Sequence, residues 1–344
     1  MQRFLVLCLV LLTACAPQPT GPQSLTVMTH DSFAATDSVI HAFEQANNAK
    51  VSFIKSGDAG AALNKAILTK SAPLADVFYG VDNTFLARAL SAGIFEAYDS
   101  PALSMIPREF QLDSTDQALP VDYGDVCINY DKGYFAEHNL TVPARLEDLT
   151  QPAYKGLLVT ENPASSSPGL AFLLATIKHF GDPGYLGFWG ELRRNGLQVV
   201  DGWETAYYTN FSGSSGRGAQ PMVVSYATSP AAEVMFATAP LQDSPTASII
   251  GPDACFRQIE FVGILKGTAH PTLARKFVDF MLSAEFQADM PAQMFVYPVV
   301  PAITLPEAFA KYSQIPSQPA MLSPDEIARN RDAWIEAWTN AVLH

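Results

Sequence analysis

Apolar and polar positions alternate over short runs from residue 25 onward, and between those runs they recur at helical spacing. Leu25-Thr26-Val27-Met28-Thr29 reads as a strand that opens into the polar turn His30-Asp31-Ser32. Over residues 37–47, Val39, Ile40 and Phe43 share one helical face, and Val51-Ser52-Phe53-Ile54 follows as a second strand. Ser56-Gly57-Asp58 is a turn with a capping side chain, ahead of a helix over residues 59–69. Ala75-Asp76-Val77-Phe78-Tyr79-Gly80 predicts a third strand, and residues 83–92 a helix closed by Gly93. Strand, helix, strand, helix, strand is the signature of an α/β unit with a parallel sheet wound by helices. Ligand crevices in such sheets lie beyond the C-terminal ends of the strands. The turns carrying His30-Asp31, Asp58 and Asp82 should therefore meet.

The pattern restarts after residue 120. Residues 121–130 form a strand that leaves the first unit, and residues 143–152 with Lys155-Gly156-Leu157-Leu158-Val159 open a second αβ unit. Ser165-Ser166-Ser167-Pro168-Gly169-Leu170 separates a strand from an apolar helix over residues 170–180. A Ser-rich turn at a helix start offers hydroxyls and free backbone N–H groups to an anion or polar ligand. Taken alone, simple N-capping with Pro168 in the first turn accounts for it. Val199 begins a segment containing Gly202-Trp203, and residues 222–226 are a buried strand that ends in Ala227-Thr228-Ser229-Pro230. Glu260-Phe261-Val262-Gly263-Ile264-Leu265 should return the chain to the first unit, with helices over 271–282, 284–290 and 324–343 completing it.

The N-terminus changes the picture from fold to address. Arg3, the apolar run of residues 4–12 and the small residues Thr13-Ala14-Cys15 read as an export signal over residues 1–14. The run is shorter than the roughly 20 residues needed to span a bilayer. Leu12-Thr13-Ala14-Cys15 resembles a bacterial lipobox, which predicts lipidation of Cys15; an ordinary secretory signal with an incidental cysteine is the alternative. Residues 15–24, rich in Pro, Gln and Thr, suit a flexible tether. The remaining chain of about 330 residues favours two lobes over one. Removing residues 1–14 takes away only Arg3, leaving 20 Lys+Arg against 34 Asp+Glu, a net −14. That acidity argues against nucleic acid as a partner.

Motifs for catalytic or metal chemistry are few in this sequence. P-loop, G-x-G-x-x-G, G-x-S-x-G and H-E-x-x-H patterns do not occur, and the six histidines are scattered without zinc spacing. Cys127 and Cys255 show no C-x-x-C spacing; a disulfide between them and two separate buried thiols are both open.

Several segments, taken in order, resemble the thiamine-binding proteins of bacterial thiamine ABC transporters over essentially the whole mature chain. They are Leu25-Thr26-Val27 with Asp31-Ser32-Phe33, Ala75-Asp76-Val77 with Gly80-Val81-Asp82-Asn83, and Asp122-Tyr123-Gly124. Ser167-Pro168-Gly169-Leu170, Gly202-Trp203, Ser225-Tyr226 with Thr228-Ser229-Pro230, and Tyr297-Pro298-Val299 continue the series. The resemblance implies an α/β, two-lobed type II periplasmic-binding-protein fold with the ligand between lobes, lobe 1 being residues 25–124 and 256–344 and lobe 2 residues 125–255. It implies a monomeric, non-enzymatic solute-binding component that takes thiamine or its mono- and pyrophosphate to a membrane permease and its ATPase, with no cofactor and no metal.

The ligand-binding positions that carry over are Asp58 with Ala59, Ser166 with Ser167, Trp203, and Tyr226-Ala227-Thr228-Ser229-Pro230. A carboxylate can accept from an exocyclic amine, and an aromatic face can stabilise a thiazolium by roughly 0.5–2 kcal/mol. Three positions depart from well-known members: His30 and Ala232 stand where those have Tyr, and Phe295 where they have Trp. His30 and Phe295 remain in the expected site; Tyr207, Tyr208 or Phe236 could compensate for the missing ring at Ala232. Two other functions suit related scaffolds. Tyr207-Tyr208 could ligate ferric iron, although packing is the ordinary role of such a pair. Cys127 could be the nucleophile of a thiamine-cleaving enzyme, but nearby Asp125 and Asp131 would disfavour a thiolate.

Overall fold

The computed structural model describes residues 21–215 and 218–344; the export signal, Cys15 and most of the tether lie outside the described residues. The strands are β1 (Gln23–Thr29), β2 (Ala49–Lys55), β3 (Val77–Asp82), β4 (Phe95–Glu96), β5 (Leu119–Asp131), β6 (Leu158–Glu161), β7 (Gln198–Val200), β8 (Met222–Tyr226), β9 (Thr246–Ile249), β10 (Phe256–Leu265) and β11 (Tyr297–Pro298). The helices are α1 (Asp37–Asn47), α2 (Ala59–Leu68), α3 (Leu86–Ala92), α4 (Lys132–Glu137), α5 (Ser167–Phe180) and α6 (Gly184–Arg194). Next come α7 (Ser212–Ser215), α8 (Ser229–Met235), α9 (Pro271–Met281), α10 (Ala284–Gln293), α11 (Glu307–Tyr312) and α12 (Pro324–Val342). None of these is long and apolar enough to cross a membrane.

The strands join in the order β2-β1-β3-β10-β5-β8-β6-β7, with β4 on β10 and β9 and β11 on β5. At one end β1 runs parallel to both β2 and β3, pairing Leu25 with Val51 and Val27 with Val77. At the other end β6 runs parallel to β7 and β8. Two long antiparallel strands, β5 and β10, connect these α/β units. The first half of β5 pairs with β10, while Val126 to Tyr130 pairs with β8. This is the two-unit arrangement that the restarting hydrophobic pattern predicts.

Packing explains why the patterned residues form these elements. Leu25, Val27, Val77 and Phe78 are fully buried between the first sheet and its helices, and each such side chain stabilises the fold by roughly 1.5–3 kcal/mol. Phe43 meets Phe277 edge-on at 5.1 Å, fixing α1 against α9. In the second unit Trp189 of α6 meets Trp338 of α12 edge-on at 5.4 Å, so the C-terminal helix reaches across to that unit. Gly169 lets α5 approach β6: a Cβ there would sit 2.5 Å from the Glu161 carbonyl oxygen.

Two expectations are revised. The helix predicted from residue 83 begins at Leu86. Asn83 is instead bound to β10, donating to the Arg257 carbonyl at 3.0 Å and accepting from the Ile259 N–H at 3.1 Å. Cys127 and Cys255, left open between bond and thiols, form a disulfide with Cα atoms 4.3 Å apart. That bond removes Cys127 as a nucleophile, since a bonded sulfur has no thiolate to offer.

Candidate functional site

A cavity of about 1050 Å³ opens between the two units, at the C-terminal ends of β1, β2 and β8. His30 enters it from the end of β1, Asp58 and Ala59 from the turn into α2, and Ser167 from the start of α5. Trp203, Tyr226, Ser229 and Phe295 line the remaining walls.

Asp58 is the most heavily held of these side chains. It N-caps α2 through the Ala59 N–H at 2.7 Å, and it also accepts the N–H of Trp203 at 2.9 Å and of Ser167 at 3.4 Å. The last two donors belong to the opposite unit, so this carboxylate ties both walls together. Burial raises its pKa, with the N–H groups of Trp203 and Ala59 and the charge of His30 opposing the rise. The Ser166 hydroxyl lies beside the same carboxylate but outside bonding geometry. Ser166 precedes α5 without capping it through its side chain, so the capping account of that serine does not hold.

The aromatic wall is preassembled. Trp203 stacks on Tyr207 with centroids 5.0 Å apart and planes at 19°, and meets Tyr226 at 6.5 Å and 68°. Its indole N–H donates to Ser225 Oγ at 2.9 Å, and Ser225 pairs with Ser229 Oγ at 2.9 Å. The Tyr226 hydroxyl donates to Gln258 Oε1 at 2.9 Å; Gln258 Nε2 in turn donates to Asp82 and to Ser167 Oγ, each at 2.7 Å. These bonds fix the orientation of the rings. Asp82, expected beside His30 and Asp58, lies behind the wall, where it accepts from Gln258 Nε2 and from the N–H and hydroxyl of Thr84.

Residues 72–330 match the family model of bacterial extracellular solute-binding proteins. The chain belongs to that family. The thiamine-binding periplasmic protein of Escherichia coli (strain K12) is 31% identical over 340 residues, covering 97% of this chain and 98% of that one. The thiamine-binding periplasmic protein of Brucella suis is 30% identical over 339 residues, covering 95% and 94%. Among solved structures, a periplasmic thiamin binding protein superposes with a TM-score of 0.80 at 29% identity, covering 94% of this chain and 99% of that one. A ferric binding protein from Campylobacter jejuni superposes at 0.75 with 18% identity, a likeness of fold. The two-lobed type II periplasmic-binding-protein fold expected from the sequence is the fold of this solute-binding protein.

Ala227, Thr228 and Pro230 stand just outside the cavity surface. Ala227 packs on the Cys127–Cys255 disulfide. The Thr228 hydroxyl donates to the carbonyl of Phe295, holding that residue at a φ of 55°. Pro230 lies in the first turn of α8, and its carbonyl accepts from Ser244 Oγ at 2.8 Å. Ala232 and Phe236 both line the cavity, and Phe236 meets Phe295 edge-on at 5.1 Å.

Sequence reasoning overlooked the acidic members of the wall, Glu204, Glu233 and Glu260. Glu233 accepts the Tyr207 hydroxyl at 2.6 Å; burial and that carboxylate push the Tyr207 pKa well up. Glu260 sits in the apolar strand read simply as the return to the first unit. A charge inside such a run was the available signal, because buried carboxylates are rare without a partner or a task.

Proposed function

We propose that this solute-binding protein captures thiamine, free or phosphorylated, between its lobes and delivers it to the permease of an ABC importer driven by an ATPase. The observation that carries this reading is the pairing of aromatic faces with carboxylates in one cavity. Trp203, Tyr226 and Phe295 line it together with Asp58, Glu204, Glu233 and Glu260, and no Lys or Arg is among the described residues that line it. Such a surface favours an aromatic cation: a thiazolium over an aromatic face gains roughly 0.5–2 kcal/mol. The Asp58 carboxylate suits the exocyclic amine of the pyrimidine, and the start of α5 at Ser167 suits the hydroxyl or phosphate end. The names of the relatives, and their match over nearly the full chain, support the same ligand. Export with lipidation at Cys15, the division into residues 25–124 with 256–344 against 125–255, and a monomeric state complete the reading.

Titrating thiamine into the purified protein tests it. Heat and a quench of tryptophan fluorescence are expected, and the quench should shrink in Trp203→Phe. Absence of heat with thiamine and with both phosphates would refute the ligand. The ferric-ion alternative fits less well, because the Tyr207 hydroxyl is engaged by Glu233 and its ring lies on Trp203.

A further inference from the structure

Glu260 and His30 form a pair that the reading above leaves without a task. Both line the cavity and both are buried. His30 Nδ1 is paired with Ser32 Oγ at 2.9 Å, while Nε2 faces Glu260 Oε1 at 3.5 Å, an ion pair rather than a well-formed hydrogen bond. On its other side the Tyr79 hydroxyl bridges Glu260 Oε2 at 2.9 Å and Asp122 Oδ2 at 2.6 Å. One hydroxyl has one proton to donate, so one of these carboxyls carries a second proton. Burial first, then the neighbouring charge of Glu260, raises the pKa of Asp122 well above the ordinary range. Burial also works against the charge on Glu260, but His30 first, then the bonds from Tyr79 and Asp122, hold that carboxyl below its usual range.

The chain is shaped around this pair. β10 shifts register against β5 between Glu260 and Phe261, and against β3 between Phe261 and Val262. Such irregularities re-aim side chains at sites. Gly80, the residue skipped in the second shift, has a φ of 104°, and a Cβ there would stand 2.3 Å from His30 Cδ2. The groups facing His30 are Glu260 from β10, Asp58 from the turn after β2, neighbouring Asp31, and the Tyr79 ring from β3 at 5.7 Å. Burial opposes the imidazolium, yet these acids, Glu260 foremost, raise its pKa above 6.5. His30 is also the single basic side chain among the described residues that line the cavity.

We propose that Glu260 is the counter-charge for the cationic ring of the ligand, and that His30 occupies its place with a proton that leaves when the cation arrives. This rests on the ligand being a thiamine-type cation. Two positive charges near one buried carboxylate repel, and of the two only the imidazolium can discharge. Capture therefore releases up to one proton, and affinity falls by up to about tenfold per pH unit below the pKa of His30 and levels off above it.

Calorimetry with thiamine between pH 6 and 8, in pairs of buffers with different ionisation enthalpies, counts that proton. The expected result is proton release that grows towards pH 6 with a parallel loss of affinity. His30→Gln should abolish the release, and Glu260→Gln should weaken binding at pH 8 by at least about tenfold. Buffer-independent heats with a flat affinity in the unaltered protein overturn the proposal, as does release that persists in His30→Gln. If a variant does not fold, the His30 ring resonance of the unaltered protein reports the same event: its titration midpoint should drop when thiamine is added, and an unmoved midpoint overturns the proposal. Absence of any heat defeats the thiamine reading itself, and this inference falls with it.

Discussion

Replacing Cys127 and Cys255 by alanine, singly and together, perturbs the one covalent link between β5 and the segment entering β10. The bond closes a loop of 128 residues. A loop of that length corresponds in chain-entropy terms to about 5 kcal/mol at 25 °C. Dividing by an unfolding entropy of about 2.1 cal/mol/K per residue over roughly 320 residues gives a Tm loss of about 7 °C. Both sulfurs are fully buried, so lost packing adds roughly 1 kcal/mol per site. Differential scanning calorimetry without reductant or ligand measures the shift. Because either single substitution already opens the loop, each single variant and the double variant should lose stability by nearly the same amount. Losses that simply add, or a double variant within about 2 °C of the unaltered protein, would refute the reasoning. Neither cysteine lines the cavity, so thiamine affinity at 25 °C should persist in the folded double variant.

Two further substitutions probe the site. Asp58→Asn removes the charge that three backbone N–H groups address, and charged hydrogen bonds contribute about 1.5–3 kcal/mol each. Thiamine affinity by calorimetry should fall by about a hundredfold, and a loss under threefold would show that Asp58 does not read the ligand. Gly80→Ala combines an unfavourable φ of 104° with a collision against His30, together roughly 2–5 kcal/mol. Urea unfolding should show that loss, and an unmoved midpoint would contradict the seating of His30 on Gly80.

Much of the fold was legible because local period and burial agree. Residues 25–82 alternate as strands and helices should, and the apolar residues of β1 and β3 are all buried, β3 on both faces. The turn positions His30 and Asp58 followed from where parallel strands end, whereas Asp82, expected with them on the same argument, is not on the cavity wall. Features set by distant partners were not legible. Asn83 has the composition of a helix start, and only its bonds to β10 take it out of α3. Glu260 reads as a strand residue because its partners, His30, Tyr79 and Asp122, come from three other strands or their ends. Tyr207 and Tyr208 looked like packing residues. The helical turn over Thr205–Asn210 is wound more loosely than an α-helix; Tyr207 stacks under Trp203, and Tyr208 is left half-exposed at the cavity mouth.

The bonds that Asp58 makes to the opposite wall have a consequence for how the cavity can open. With the Gly60 N–H donating to the Ser165 carbonyl at 3.0 Å, three backbone N–H groups fasten the two walls along one seam. Parting the walls there breaks all three together, and the two that end on the Asp58 carboxylate contribute about 1.5–3 kcal/mol each. A solute that leaves this seam intact would have to pass the exposed lining residues Tyr208, Phe236 and Leu241 instead.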